Sequence, residues 1–171
     1  MQKIITIAEA QKLSSPNPFA LLTTRKPDGT TNIMALSWWT YLSNHPAAIG
    51  ICLSNKGYSG TCIKANPFFS LSLPGIKLQN SAFQCGTCSG RQRDKVKELS
   101  IPLSQHPDFP VPYVTGSRIA FSCEMCSAYL VHDHTFYLCD VKQILGDDTI
   151  LALFAQHGYA KLDIVSTEIP S

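Results

Sequence analysis

Between Phe19 and Ile144 the chain runs as short segments rich in β-branched and aromatic residues, cut at intervals by turn signals. This rhythm restricts the fold more than any other feature. Phe19–Thr24 gives way to Lys26-Pro27-Asp28-Gly29, a strong reversal, and Thr30–Ser37 follows as the return strand. Asn44-His45-Pro46 marks the next turn, ahead of Ala47–Leu53, an apolar run of the kind a buried strand carries. Phe68–Leu73 stops at Pro74-Gly75. Two further strands are expected over Arg118–Val131 and Thr135–Ile144, joined at His132-Asp133-His134. Six or seven strands punctuated in this way predict a barrel.

Helices are expected around it. Thr6-Ile7-Ala8-Glu9 reads as a capping box opening a short helix to about Leu13, halted by Pro16 and Pro18. Ser59–Ala65 forms another, closed by Asn66-Pro67. Leu78–Phe83 suggests a helical turn, Ser89–Leu99 a charged surface helix, and Asp147-Asp148 the start of a helix through about Gln156. Ile101–Pro112 carries four prolines and reads as an extended excursion. A chain of 171 residues buries one substantial core, whereas two halves would each be marginal. With no repeat, low-complexity tract or linker, one domain is expected across 1–171.

Fourteen basic against twelve acidic residues give a net charge of +2, which argues against a dedicated nucleic-acid surface. No apolar run approaches the roughly 18 residues of a membrane-spanning helix. The N-terminus lacks a basic segment followed by an apolar one, so a cytoplasmic location is expected. Of the seven cysteines, Cys52, Cys62, Cys123 and Cys139 sit inside apolar segments, where a reduced thiol acts as a small hydrophobe.

The run Asn32-Ile33-Met34-Ala35-Leu36-Ser37-Trp38-Trp39-Thr40 alternates like a strand yet crowds amide, thioether, hydroxyl and indole groups together. That mixture suits a flat, amphipathic, heteroaromatic ligand. Downstream, Ser54-Asn55-Lys56-Gly57-Tyr58-Ser59 precedes a helix, so free N–H groups and the helix dipole favour an anion there. Ser54 and Ser59 add donors, Lys56 adds charge, and Gly57 permits close backbone approach. Alone, such a loop is more often a polar turn with a solvated lysine; a ring site on the preceding strand gives it force.

These residues resemble a known family. Asn-x-Met-Ala-x-Ser-Trp from Asn32 to Trp38, a turn proline, a Tyr58-Ser59 helix start and Asn66-Pro67-Phe68-Phe69-Ser70-Leu71-Ser72-Leu73-Pro74 follow in the order of the flavin reductase-like, FMN-binding split-barrel family. The flavoredoxin branch is the most similar. Its Cys-Gly-x-x-Ser-Gly-Arg-x-x-Asp-Lys segment is matched by Cys85-Gly86, Ser89-Gly90-Arg91 and Asp94-Lys95, and its Gly-Asp-His turn by Asp133-His134. The resemblance covers roughly Pro18 to Tyr159.

It implies a mainly β fold with peripheral helices: an antiparallel, Greek-key-like split β-barrel, a homodimer, with FMN near the subunit interface. At the matching positions, Met34, Ala35, Leu36, Ser37 and Trp38 line the isoalloxazine and ribityl chain. Ser54, Asn55, Lys56, Tyr58 and Ser59 hold the phosphate, while Cys85, Ser89, Arg91 and Lys95 close over the site. His134 sits near the reactive face, where related reductases admit NADH or NADPH. The flavin does the redox chemistry, so no catalytic triad is expected. The chain departs from the family pattern at Pro46-Ala47, where relatives often have two prolines, at Val96, where a phenylalanine is common, and at His132, which replaces a glycine. The last change, beside His134, leaves open a carrier of electrons reduced by a redox protein partner.

A different reading starts from Cys85-Gly86-Thr87-Cys88 and Cys123-Glu124-Met125-Cys126. Two such pairs can hold zinc, giving a metal-stabilised binding module, and Cys85–Cys88 before a basic helix could form a redox disulfide. In a regular strand, however, Cys123 and Cys126 point to opposite faces and cannot share an ion unless a bulge intervenes. No metal ligand is therefore assigned.

Overall fold

The computed structural model describes residues 3–165. Helix α1 (Ile7–Leu13) starts at the Thr6 capping box, and β1 (Asn17–Pro18) follows. Then come β2 (Ala20–Arg25), β3 (Thr31–Leu36), β4 (Trp39–Asn44), β5 (Ala47–Ser54), α2 (Tyr58–Ala65) and β6 (Phe68–Pro74). A short 3-10 turn (Ile76–Leu78), α3 (Gln79–Cys85) and α4 (Lys95–Glu98) connect to the small pair β7 (Leu103–Ser104) and β8 (Tyr113–Val114). The long hairpin β9 (Ser117–Val131) and β10 (His134–Gly146) precedes β11 (Phe154–Gln156) and β12 (Lys161–Asp163).

Seven strands form one antiparallel sheet in the order β3-β2-β6-β9-β10-β5-β4. Its two edge strands, β3 and β4, are consecutive in the chain, and only Ser37 and Trp38 separate them. The fold is thus the split barrel expected from the sequence. Among the described residues no helix is long and apolar enough to cross a membrane.

Strand β2 is buried on both faces, and its alternation divides two cores. Ala20 and Leu22 point into the barrel with Ile51, Leu53, Phe69, Leu71 and Phe121. Phe19 and Leu21 pack outward against Ile33, Ala82, Cys85, Leu153 and Leu162, beneath α3 and the C-terminal strands. Each fully buried leucine or isoleucine contributes about 1.5–3 kcal/mol of transfer free energy. Strand β6 splits in the same way. Phe69 and Leu71 face the barrel, while Ser70 and Ser72 bond the proline-rich excursion at the Val111 carbonyl (2.7 Å) and Val114 N–H (3.1 Å).

Three local expectations are corrected. The helix over Ser89–Leu99 is only Lys95–Glu98. Ser89 Oγ turns the chain by accepting from Arg91 N–H, Gly90 is pressed against Asn32, and Asp94 caps the helix that then begins. No helix follows Asp147. Its carboxylate accepts from both the N–H and hydroxyl of Thr149, Arg118 holds the Asp148 and Ile150 carbonyls, and Phe154–Gln156 is a strand paired with β1 and β12. The return strand ends at Leu36, and Ser37 and Trp38 form the crossing to β4, with the Trp38 carbonyl accepting from Cys52 N–H of β5 (2.8 Å).

Candidate flavin-binding site

A cavity of about 390 Å³ opens between β3, the N-terminus of α2 and the connection from α3 to α4. Met34 and Ala35 supply one wall. Ser54, Lys56, Gly57, Tyr58 and Ser59 form the second, and Cys85 to Gly90 with Lys95 the third. Residues far apart in sequence meet there because β3 is an edge strand, so its outer margin is free to be covered by helices. No acidic residue lines the cavity, whereas Lys56 and Lys95 both do.

The donors at the α2 end are local products of the sequence. Gly57 occupies the N-cap and offers no side chain to the first turn, so its N–H groups remain for a ligand. The turn before it is held by Gly57 N–H on the Ser54 carbonyl (2.9 Å). Asn32, a buried residue of β3, donates from Nδ2 to Ser59 Oγ (2.9 Å) and to Thr24 Oγ1 (3.0 Å).

Lys95 is 4% exposed, and its ammonium donates to the carbonyls of Cys85 (2.9 Å) and Cys88 (3.0 Å). No carboxylate pairs with it among the described residues. A buried cation neutralised only by backbone dipoles favours an anion in the adjoining space. Burial pushes the Cys85 thiol up to about 11, with the nearby Lys95 charge opposing the rise. The folded chain therefore keeps this proton above the ordinary value of 9.0. Stability from it is complete below that pH and is lost as pH climbs towards 11, by an amount on the order of 3 kcal/mol. Iodoacetamide at pH 8 is expected to label exposed Cys126 and spare Cys85, as peptide mass spectrometry would register; rapid labelling of Cys85 would refute its neutral, buried state.

Several candidates lie elsewhere. Leu36 and Ser37 border a neighbouring space of about 250 Å³ with Tyr159, which adjoins the main cavity through Ala35 and Gly86. A Cβ at Gly86 would come within 2.5 Å of the Tyr159 ring, so glycine is required for that approach. Trp38 is half exposed and stacks on His134 (4.8 Å between centroids), and His134 Nδ1 bonds Asp133 (2.9 Å). Trp39 instead packs on core Phe121. Arg91 lies over the Tyr58 ring at 5.0 Å.

Asn55 faces away from the cavity. Its Nδ2 donates to the His132 carbonyl (3.0 Å), its Oδ1 accepts from Thr135 (2.7 Å), and its N–H meets the Asp133 carbonyl (2.9 Å). It fastens the phosphate-type loop to the β9–β10 turn. His132 makes that turn at φ +52°, the left-handed region that the missing glycine would enter without strain. Asn32, Gly86, Thr87, Cys88 and Gly90 also line the cavity beyond the residues that the sequence assigns to it, although Asn32 opens the diagnostic run and Gly90 lies within the Ser-Gly-Arg segment.

The cysteine pairs do not converge. Strand β9 does bulge at Cys126, between the Ser127–Leu138 and Met125–Cys139 pairings, yet Cys126 stays exposed while Cys123 is buried. Among the described residues no three His, Cys, Asp or Glu are grouped to hold a metal. In a larger depression of about 660 Å³ beside Arg118, Asp147 and Asp148, Arg118 is engaged on two carbonyls and Asp147 on Thr149.

Residues 13–163 match the flavin reductase like domain. The chain belongs to the flavin reductase-like domain family. Its sequence relatives include an uncharacterized protein of Archaeoglobus fulgidus, 25% identical over 68% of this chain and 66% of the relative. The uncharacterized protein YddH of Escherichia coli is 27% identical over 72% of this chain and 67% of its own. The matched part thus spans about two thirds of these relatives' length. Among solved structures, flavoredoxin of Desulfovibrio vulgaris (Miyazaki F) superposes with TM-score 0.82 at 19% identity, covering 92% of this chain and 91% of that one. The NADH:FAD oxidoreductase SgcE6 of Streptomyces globisporus gives 0.85 at 14% identity, over 97% and 99%. An FMN-binding protein from Thermus thermophilus gives 0.80 at 21%, over 93% of each. At these identities the likeness establishes that the flavin reductase-like chain shares their fold.

Proposed function

We propose that the protein binds FMN in the cavity beside β3 and transfers electrons through it as a NAD(P)H-dependent reductase of the flavoredoxin type. One observation carries the reading: an uncapped helix N-terminus, two lysines and three serines converge on a space lined by no carboxylate. The donor set fits a phosphomonoester, and Met34 and Ala35 fit an apolar ring bed. FAD carries the same ring on a longer tail, but the donors grouped at the Ser54–Ser59 end suit a terminal phosphate better. Bound flavin would supply hydride and single-electron chemistry.

The chain's own residues orient and insulate. Ser54, Ser59 and the α2 N–H groups hold the tail, Lys56 and Lys95 balance its charge, and the Cys85–Gly90 segment limits water at the ring. Cys85, kept as a thiol, packs without charge. His134 is drawn away from the cavity by Asp133 and covered by Trp38, which favours a second reading, a flavin carrier reduced by a protein partner. The domain is proposed to pair as a homodimer through the apolar residues Tyr129, Leu130 and Val131 at the hairpin tip with Tyr41 and Leu42 of β4, all left uncovered in the single chain.

Reconstitution followed by anaerobic nicotinamide titration tests the assignment. The protein is expected to retain FMN on gel filtration, and NADH or NADPH to bleach its visible absorption. Retained flavin that stays oxidised until a reduced redox protein is added selects the carrier reading. Failure to retain or bind any flavin overturns both.

A further inference from the structure

We infer that Asn32 is a positioning residue that aims the Ser59 hydroxyl at the ligand's phosphate, so that selectivity for a phosphorylated flavin is set one layer behind the phosphate contacts. The inference rests on the FMN reading. Register creates the arrangement: Asn32 pairs directly with Thr24 across β3 and β2, which puts both side chains on one face, and α2 lays Ser59 over them. All three are buried, with Asn32 and Ser59 each 3% exposed.

The proton count then decides the direction of each bond. The Asn32 amide has two hydrogens, and both are spent, one on Thr24 Oγ1 and one on Ser59 Oγ. Ser59 is therefore an acceptor towards Asn32, and its single O–H proton cannot point back at an N–H donor. The remaining open direction is the cavity that Ser59 lines. On the other side, Asn32 Oδ1 faces Gly90 so closely that any Cβ at that position would overlap it. The amide is held between a strand partner, a helix and a glycine, and Ser59 is left a committed donor.

A committed donor discriminates between a phosphate and a neutral hydroxyl, because a hydrogen bond to a charged acceptor is worth about twice a neutral one. The test compares FMN with riboflavin, which lacks the phosphate, in fluorescence titrations of the full chain. Wild-type protein is expected to prefer FMN. Asn32→Ala and Ser59→Ala should each lower the FMN-to-riboflavin affinity ratio by about tenfold, leave riboflavin within about twofold, and in combination lower it no further than Ser59→Ala alone. Should Asn32→Ala fail to fold, Asn32→Asp preserves shape while its oxygens accept from both hydroxyls, turning the Ser59 proton inward. It should weaken FMN by at least about tenfold and spare riboflavin.

An Asn32→Ala that weakens both flavins equally, additive losses in the double variant, or an Asn32→Asp that keeps wild-type FMN affinity would overturn the inference while the FMN reading stands. Wild-type protein that binds riboflavin as tightly as FMN, or binds neither, removes both.

Discussion

Lys56→Ala combined with Ser59→Ala is expected to weaken FMN binding by about a hundredfold or more while leaving the barrel folded. Ser59 contributes one charge-assisted hydrogen bond, and Lys56 contributes a charge at the mouth of a cavity whose other cation, Lys95, is already shared with two carbonyls. Two such contacts together are worth about 3 kcal/mol, a little above two decades in affinity. Lys56 is exposed and neither residue belongs to a core cluster, but losing the Ser59 hydroxyl leaves a buried Asn32 N–H unpaired, so the thermal transition should fall modestly with the barrel still folded. Calorimetric titration with FMN and riboflavin reads the result. Unchanged FMN affinity would remove the phosphate end from this loop, and an equal loss for riboflavin would mean damage rather than a lost phosphate contact.

Tyr129→Asp with Leu130→Asp is expected to convert a dimer to monomers. Leu130 is 76% exposed and Tyr129 55%, at the tip of the longest hairpin, where the described residues leave most of their surface uncovered. An exposed apolar cluster of this kind marks a contact surface. If a second copy covers it, two carboxylates per chain would enter the interface without partners, and burying an unpaired charge costs several kcal/mol. Sedimentation equilibrium should show the wild type at twice the chain mass and the variant at one. A wild type that sediments as a monomer at micromolar concentration would defeat the proposal.

The long-strand framework was legible because each strand carries its own pattern and each turn its own punctuation. Phe69 and Leu71 alternate with Ser70 and Ser72, and Asp28-Gly29 reverses the chain where it should, with Gly29 at φ +84°. The Ser54–Ser59 loop was legible for the same reason: its donors are consecutive. The two helix errors have different causes. An acidic residue ahead of a polar stretch signals a helix start, but the same side chain can close on its own backbone two residues later, and at Asp147 the Thr149 turn wins. At Ser89–Leu99 the deciding contact is Gly90 on Asn32, across 58 residues, which no local pattern announces. Asn55 looked like a phosphate ligand by its neighbours, yet its amide is taken by a turn about eighty residues on. Sequence alternation also could not place Trp38, because strand β3 ends at Leu36 and Trp38 lies in the two-residue crossing to β4.

That amide strut has a wider consequence. Asn55 joins the segment proposed to grip the coenzyme's tail to the hairpin proposed to meet the second subunit, through three bonds and without a flexible intermediary. Occupancy and self-association then share one mechanical link. Thermodynamic reciprocity requires that whatever loading does to pairing, pairing does equally to loading.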